Sequence, residues 1–186
     1  MRVFIGIKLD KASVERVNRC LKPFKKIATP LKWTKDENIH LTVKFLGEVA
    51  AEKYRQIEQV LSADHYDVVP FTMKITGLGK FGRGGGLNIL WAGVEKNENL
   101  EKLFHKIEKN LHSLKIEKEE RPFKPHITLA RNKREFNWRP IFQLLEENRE
   151  CPIAQLEVKG FQIFKSDLAS TGPTYTLLKE IPLVQS

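Results

Sequence analysis

The sequence predicts a two-lobed α+β fold, and an internal repeat is the main reason for expecting it. Three pairs of segments match at offsets of 83 to 87 residues: 5–7 with 92–94, 40–43 with 126–129, and 75–77 with 158–160. Each copy has the order strand, helix, strand, helix, strand. Half of a 186-residue chain would barely bury a core by itself. We therefore expect a single domain over 1–186, whose halves, about 1–86 and 87–186, pack around a pseudo-two-fold axis.

Hydrophobic spacing predicts the elements of the first half. Apolar residues alternate with other residues over 2–9, which indicates a strand because successive side chains of a strand point to opposite faces. Apolar residues at helical spacing predict helices over 11–27 and 51–62, and Pro23 is expected to end or kink the first of them. Further strands are expected over 39–46 and 69–78.

The second half is expected to repeat this order after the glycine-rich run 82–86. A strand is predicted over 87–94, followed by an amphipathic helix whose apolar residues run from Leu100 to Leu114. The remaining predicted elements are a strand over 125–131, a helix over 138–147, and strands over 153–164 and 173–181 that a turn at 170–173 joins. The three tryptophans are expected in the core: Trp33, Trp91 and Trp138.

Composition excludes several classes of protein. Hydrophobic residues make up 41% of the chain and charged residues 30%, as in folded soluble domains, and no run reaches the ~18 apolar residues of a membrane span. The first residues lack the features of a signal peptide, and Cys20 and Cys151 have no spacing typical of a redox or zinc motif. We expect a cytoplasmic protein with no membrane association. The net charge of +9 favours anionic partners, although a solvated surface without a partner explains it equally well.

Two copies of a His-x-Thr-x motif lie at the same point of the repeat. They are His40-Leu41-Thr42-Val43 and His126-Ile127-Thr128-Leu129. Residues i and i+2 of a strand share a face, so each histidine should lie beside its threonine while the apolar residues face the core. Two-fold packing of the halves would then bring two imidazoles and two hydroxyls around one point.

These residue types fit acid-base chemistry on a phosphodiester. Imidazole has an unperturbed pKa near ~6.5, so one ring can be neutral and the other protonated at neutral pH. Such a pair can take a proton from an attacking oxygen and give one to a leaving oxygen. Threonine hydroxyls can hydrogen-bond the non-bridging phosphate oxygens, where negative charge builds up. This chemistry requires no metal.

Two structural alternatives compete with the catalytic interpretation. Each histidine could be a buried, hydrogen-bonded strand residue, and threonine is in any case a good strand former. A zinc site would need a third and a fourth ligand, and the other three histidines lie outside the motifs: His65, His105 and His112. Because the two motifs lie at the same point of the repeat, a catalytic role is favoured over a structural role and over zinc binding.

The sequence resembles the two-histidine (2H) phosphoesterases. Within them it is most similar to the RNA 2',3'-cyclic phosphodiesterases, historically called 2'-5' RNA ligases. The resemblance covers nearly the whole chain, shows no departure at either motif, and extends to the segments 2–7, 33–34, 44–47, 125–131, 166–168 and 172–175. The glycine-rich run 82–86 matches least well.

The resemblance implies both a fold and an activity. Each lobe would hold an antiparallel sheet flanked by helices, with the active site in the cleft between the lobes. The activity would be metal-independent hydrolysis of an RNA 2',3'-cyclic phosphate end to a 2'-phosphate, with no cofactor. His40 would donate a proton to the departing O3' and His126 would accept one from water, although the residues alone leave these roles interchangeable. Thr42 and Thr128 would bind the phosphate.

Residues flanking the motifs are weaker candidates for contacts with RNA. Lys44 shares the parity of His40 and could line the same cleft, unless it is a solvent-facing lysine. Arg131 has the opposite parity to His126, so it reaches the site only if the strand ends or bulges there. The resemblance favours a phosphate or base contact for Arg131.

Aromatic and basic residues complete the expected RNA surface. Phe45 and Phe81 would stack a terminal base, unless they belong to the core. A basic rim is expected from the following residues: Lys80, Arg83, Arg121 and Lys124.

The expected partner is RNA with a terminal 2',3'-cyclic phosphate, with tRNA fragments as one candidate. A monomer is expected, because the repeat already supplies a two-fold. Three other functions remain open: ligation of RNA ends through 2'-5' linkages at the same site, hydrolysis of free cyclic mononucleotides, and RNA binding without catalysis.

Overall fold

The structure is a computed structural model that describes residues 1–27, 29–64, 66–82, 86–132, 137–169 and 172–183. Several residues named above therefore lie outside the described ranges: His65, Arg83 and positions 170–171 of the expected turn. In chain order the elements are β1 (Arg2–Lys8), α1 (Lys11–Lys25), β2 (Lys32–Trp33), β3 (His40–Glu48), α2 (Ala51–Ala63), β4 (Phe71–Phe81), β5 (Ile89–Val94), α3 (Glu98–Ser113), β6 (His126–Arg131), α4 (Arg139–Glu147), β7 (Pro152–Val158), β8 (Gly160–Ala169) and β9 (Gly172–Pro182).

The described strands form one antiparallel sheet in the order β7-β4-β5-β6-β3-β1-β8-β9, with β2 paired to β6 beside β3. The contact between β3 and β6 at the centre joins a half made of β1, β3, β8 and β9 to a half made of β4 to β7. These two strands carry the two motifs. The predicted α+β class, with antiparallel strands and flanking helices, is confirmed.

The third strand of each repeat pairs with the first strand of the other repeat. β4 follows α2 in the first repeat but pairs with β5, and β8, which follows α4 and β7 in the second repeat, pairs with β1. The two repeats are thus interlocked, so each half of the sheet contains strands from both. This exchange ties the halves together on either side of the central β3–β6 contact.

Two of the helices, α1 and α3, begin at residues whose side chains cap them. Asp10 accepts a hydrogen bond from the Ser13 backbone N–H at 2.7 Å at the start of α1. Asn97 does the same for the Leu100 N–H at 3.0 Å at the start of α3, an equivalent point of the repeat. Their apolar faces form one buried cluster with the inward-facing strand residues. No helix of the described ranges is long and apolar enough to cross a membrane.

Element positions agree closely with the sequence predictions, although the short strand β2 was not predicted and several details differ. The strand expected over 153–164 is two strands that meet at Lys159, because β7 pairs with β4 and β8 pairs with β1. α1 ends at Lys25 rather than at 27, and Pro23 lies in its last turn, in agreement with the expectation that this proline ends the helix. Trp138 is buried and Trp33 packs against the core, but Trp91 lies across from Thr128 rather than in the core.

Candidate active site

The register between β3 and β6 brings the two motifs together. Leu41 pairs with Ile127, and both side chains are fully buried. Continuing this antiparallel register places His40 across from Thr128 and Thr42 across from His126. Directly opposed residues share a face of the sheet, so all four polar side chains lie on the face away from Leu41 and Ile127. An antiparallel pair of strands has a local two-fold axis, and here it passes between the two motifs.

Each motif histidine is oriented by a backbone carbonyl two residues before it. The Nδ1 atom of His40 lies 2.6 Å from the Asn38 carbonyl oxygen, and that of His126 lies 2.9 Å from the Lys124 carbonyl oxygen. A carbonyl can only accept a hydrogen bond, so Nδ1–H is the donor in both rings and Nε2 carries the exchangeable proton. In His40, Nε2 lies 3.0 Å from Oγ1 of Thr42.

Aromatic side chains surround the His40 ring. The Phe4 ring lies 4.8 Å from it, and the Tyr175 ring meets it edge-on at 5.1 Å. Burial lowers the pKa of His40 below its usual value, and the Asn38 carbonyl opposes this shift by holding Nδ1–H. The positive charge of Arg131 and the neighbouring His126 lower the pKa further. His40 in the free protein is therefore biased toward its neutral form.

A β-bulge lies at the last residue of each motif. Thr42 pairs with Gly6 while Lys44 pairs with Ile5, so Val43 is an extra residue in β3. Thr128 pairs with Trp91 while Ala130 pairs with Leu90, so Leu129 is the extra residue in β6. A bulge reverses the alternation of side chains beyond it. Residues three positions after each threonine therefore return to the face that carries the motifs.

The bulges decide which flanking residues reach the site. Phe45 pairs with Phe4 and is 57% exposed on the motif face, and Arg131 reaches the same face at the end of β6. The prediction that Lys44 lines the cleft is wrong. Lys44 shares the face of buried Ile5 and is itself only 7% exposed, because the bulge turns it toward the helices.

A cavity of about 300 Å³ adjoins His40 on this face. Phe4, Lys8, Phe164 and Tyr175 contribute to its walls. Its lining is mixed, since Glu37, Gln162 and Glu180 also contribute to it. On the other side of the site, the Phe81 ring meets the His126 ring edge-on at 5.0 Å and lies 5.3 Å from the Trp91 ring. The paired motifs thus lie between a cavity lined by aromatic and charged residues and an aromatic pair.

Comparison with known proteins adds independent information on this arrangement. The family model described as 2'-5' RNA ligase superfamily matches residues 14–169. The chain belongs to the 2'-5' RNA ligase superfamily. The resemblance noted from the motifs is thereby confirmed.

Relatives of this chain within the 2'-5' RNA ligase superfamily match it along nearly its whole length. A protein of Methanocaldococcus jannaschii named RNA 2',3'-cyclic phosphodiesterase is 31% identical over 97% of this chain and 99% of its own. A protein of the same name from Thermotoga maritima is 31% identical over 97% of this chain and 94% of its own. The crystal structure of E. coli LigT complexed with 3'-AMP superposes with a TM-score of 0.79 at 25% identity, covering 99% of this chain and 98% of LigT.

Sequence reasoning missed several residues around the site of this superfamily member. Tyr175 and Phe4 contact the His40 ring, and buried Asn38 supplies the carbonyl that holds it. The Asn38 side chain also donates to the Pro173 carbonyl at 2.7 Å, which ties the start of β9 to the first motif. Phe4 offered a signal, because it is a large apolar residue out of phase with its alternating neighbours Val3 and Ile5. Nothing local to Tyr175 indicated its place.

The expected basic rim is only partly a surface feature. Arg121 and Lys124 are exposed in the segment before β6. Lys80, in contrast, donates to the Gly86 carbonyl at 3.1 Å, and its Nζ lies 4.5 Å from the centre of the Phe142 ring. Its charge is therefore engaged within the 2'-5' RNA ligase fold rather than directed into open solvent.

Gly6 provides a first test of the site's packing in this superfamily fold. It faces Thr42 across the β1–β3 pair, and a Cβ there would come 2.7 Å from the Leu41 carbonyl oxygen and 3.3 Å from Cδ2 of His40. We expect Gly6→Ala to lower the free energy of unfolding by about 1–3 kcal/mol, since β3 must shift. Urea unfolding measures this loss, and the imidazole NMR signals of His40 should move with it.

Gly47→Ala is the control for Gly6→Ala. Gly47 has a φ of +70° but open space around its Cβ position, so alanine there strains the backbone without pushing on His40. If Gly6→Ala left both the unfolding midpoint and the His40 signals unchanged, the close approach of β1 to the first motif would be wrong.

Proposed function

We propose that this protein hydrolyses the terminal 2',3'-cyclic phosphate of RNA to a 2'-phosphate, using the paired motifs and no metal. The observation that carries the proposal is the placement of two histidines and two threonines on one face across the β3–β6 pair. Acid, base and phosphate ligands for a phosphodiester are then available at one point. The names of the M. jannaschii and T. maritima relatives support this substrate class.

The reaction follows from the orientation of the two rings. The hydroxyls of Thr42 and Thr128 would donate to the non-bridging oxygens of the cyclic phosphate, where negative charge increases in the transition state. Nε2 of His126 would take a proton from water as the water oxygen bonds to phosphorus. Nε2–H of His40 would give its proton to O3' as the P–O3' bond breaks. The product keeps its phosphate on O2', and one proton has moved from His40 to the product while His126 has gained one.

The lowered pKa of His40 bears on its assignment as the proton donor. A proton donor must be protonated when substrate is bound, yet burial and Arg131 favour neutral His40 in the free protein. A phosphate monoanion between the motifs supplies the missing negative charge and favours the imidazolium. Substrate binding and protonation of His40 are thus coupled.

This coupling predicts a pKa change that can be measured with sulfate, a dianion that does not titrate near neutral pH. We expect the pKa of His40 to lie below ~6.5 in the free protein. The pKa should rise when sulfate binds, because the sulfate dianion and the protonated imidazole stabilise each other. By the same linkage, sulfate should bind more tightly as pH falls toward the pKa of His40. NMR titration of the imidazole signals measures both. Saturating sulfate that left the His40 pKa unchanged would contradict an anion site beside this ring.

Bases next to the cyclic phosphate would rest on the aromatic side chains around the site. Phe45, on the motif face, and Phe81, beside His126, are 57% and 38% exposed. Stacking on such rings is worth about 1–3 kcal/mol per base, which supports RNA ends over free mononucleotides. Arg131 would contact phosphate on the same face. Since both motifs come from one chain, the proposal needs no second subunit.

Ligation of RNA ends is the second candidate, and the family description 2'-5' RNA ligase favours it. The same site would serve if the 5'-hydroxyl of a second RNA replaced water as the nucleophile, with O3' leaving as before. The acid and base would then exchange a proton with a hydroxyl of the second RNA. Supplying an RNA with a free 5'-hydroxyl alongside the cyclic phosphate end distinguishes ligation from hydrolysis.

The deciding experiment uses a short RNA ending in a 2',3'-cyclic phosphate, incubated with the protein in excess EDTA. We expect turnover to a phosphomonoester end that is sensitive to phosphatase, and comparison with synthetic 2'-phosphate and 3'-phosphate RNA standards in chromatography identifies it as the 2'-phosphate. A matching cyclic mononucleotide tests the contribution of the aromatic contacts. Tight RNA binding without turnover would overturn the proposal in favour of an RNA-binding module, and a 3'-phosphate product would overturn the direction of bond cleavage.

A further inference from the structure

A buried ion pair lies directly behind the first motif. Nζ of Lys44 is 2.7 Å from Oε1 of Glu108, and each of the two side chains is only 7% exposed. Lys44 follows Thr42 by two residues, and Glu108 lies on the buried side of α3. Burying two charges is costly, and hydrophobic residues of similar size often give equal or greater stability. Stability alone is therefore a weak explanation for this pair.

Both partners of the pair hold the segment that leads to the second motif. This connecting segment, residues 115–125, runs from the end of α3 to His126 without regular secondary structure. Lys44 donates to the Glu117 carbonyl at 2.8 Å, and Glu108 accepts from the Glu119 N–H at 2.9 Å. The segment is otherwise rich in exposed, charged residues. Its backbone is thus fixed at two points by one ion pair.

The connecting segment in turn orients the second histidine. Its Phe123 ring stacks on Phe104 of α3 with a centroid distance of 4.2 Å. The next residue, Lys124, supplies the carbonyl that accepts the hydrogen bond from Nδ1–H of His126. A continuous set of contacts therefore runs from β3, just past the first motif, to the atom that sets the tautomer of the second histidine.

We propose that Lys44 and Glu108 are positioning residues that hold the connecting segment so that the Lys124 carbonyl fixes the Nδ1–H tautomer of His126. Neither side chain reaches the motif face, so both act through the backbone. The catalytic consequence rests on the proposed function, because a misplaced Nε2 of His126 matters only if that atom takes a proton. The structural consequence, the tautomer and position of the ring, does not depend on the activity.

The main test is the double variant Lys44→Met/Glu108→Leu. It removes both charges together, so no buried charge is left without its partner and folding is expected to survive. It also removes the bonds to Glu117 and Glu119. We expect an unfolding midpoint near that of wild type, a fall in kcat of roughly 10- to 100-fold with KM little changed, and mixed Nδ1–H and Nε2–H tautomers of His126 in ¹⁵N NMR at alkaline pH.

Lys106→Met is the matched control. Lys106 also lies on α3 and forms an ion pair, but its partner is Asp64 at the end of α2, at 3.3 Å. It should leave kcat and the His126 tautomer unchanged. If the double variant proves unstable, Lys44→Met/Glu108→Gln is measured in its place, because it also removes both charges and the bond to Glu117 while keeping the size of the Glu108 side chain.

The outcomes distinguish a failure of the positioning role of Lys44 and Glu108 from a failure of the proposed hydrolytic activity. A stable double variant with wild-type kcat and an unmixed His126 tautomer would overturn the positioning role. A wild-type protein without turnover would overturn the proposed function, while the tautomer measurement would still decide the role of Lys44 and Glu108.

Discussion

Replacing either motif histidine by alanine is expected to lower kcat for hydrolysis of a cyclic phosphate end by about 10²–10⁴-fold. His40→Ala removes the proton donor to O3', and His126→Ala removes the acceptor for the proton of water. Each variant leaves the other three site residues in place, so RNA binding should fall much less than kcat. Single-turnover rates on a cyclic-phosphate RNA, together with an RNA affinity measurement, separate the two effects.

His112→Ala is the control for the histidine variants, because His112 is an exposed residue of α3 that lies outside both motifs. The His40→Ala/His126→Ala double variant should be little slower than the slower single variant, since groups that act in one step are not additive. Activity that survived in both single variants would contradict paired acid-base catalysis and would favour RNA binding as the function.

The second large effect is expected at the threonines. Thr128→Val keeps the shape and strand preference of the side chain but removes the hydroxyl, so one donor to the phosphate is lost. We expect a fall in kcat of about 10²–10³-fold, the usual cost of removing one hydrogen-bond donor to a developing oxyanion. Thr42→Val should cost at least as much, because Oγ1 of Thr42 also lies 3.0 Å from Nε2 of His40.

Thr72→Val controls for the general effect of this substitution in a strand. Thr72 is exposed in β4 and should tolerate valine without loss of activity. Circular dichroism and urea unfolding would show whether the motif variants keep the fold. Wild-type rates in both Thr42→Val and Thr128→Val would remove the threonines from phosphate binding and leave only their role as strand residues.

Local patterns in the sequence predicted most of the secondary structure. Apolar alternation in β1 and helical spacing in α3 each depend on residues close together in the chain, so their periods can be counted directly. The position of Lys159 as a boundary between β7 and β8 could not be counted in this way. It arises because the two strands pair with β4 and β1, which lie in different halves of the sheet.

Part of the candidate site could also be predicted from local patterns in the sequence. Side chains two residues apart in a strand share a face, so His40 lies beside Thr42 and His126 lies beside Thr128. This inference requires no knowledge of the partner strand. The same rule failed at Lys44 because the extra residue Val43 reverses the alternation. A bulge belongs to a pair of strands rather than to one, so a single strand gives no sign of it.

The amino-acid sequence by itself determined the repeat, the two motifs and the chemistry that imidazoles and hydroxyls can perform on a phosphodiester. Tertiary structure decided that β3 meets β6 with Leu41 beside Ile127, that Arg131 faces the site while Lys44 does not, and that Tyr175 lies against His40. The physical reason is the range of the interactions. Side-chain direction along one strand follows from covalent geometry, whereas strand partners, registers and bulges are set by contacts between residues far apart in the chain.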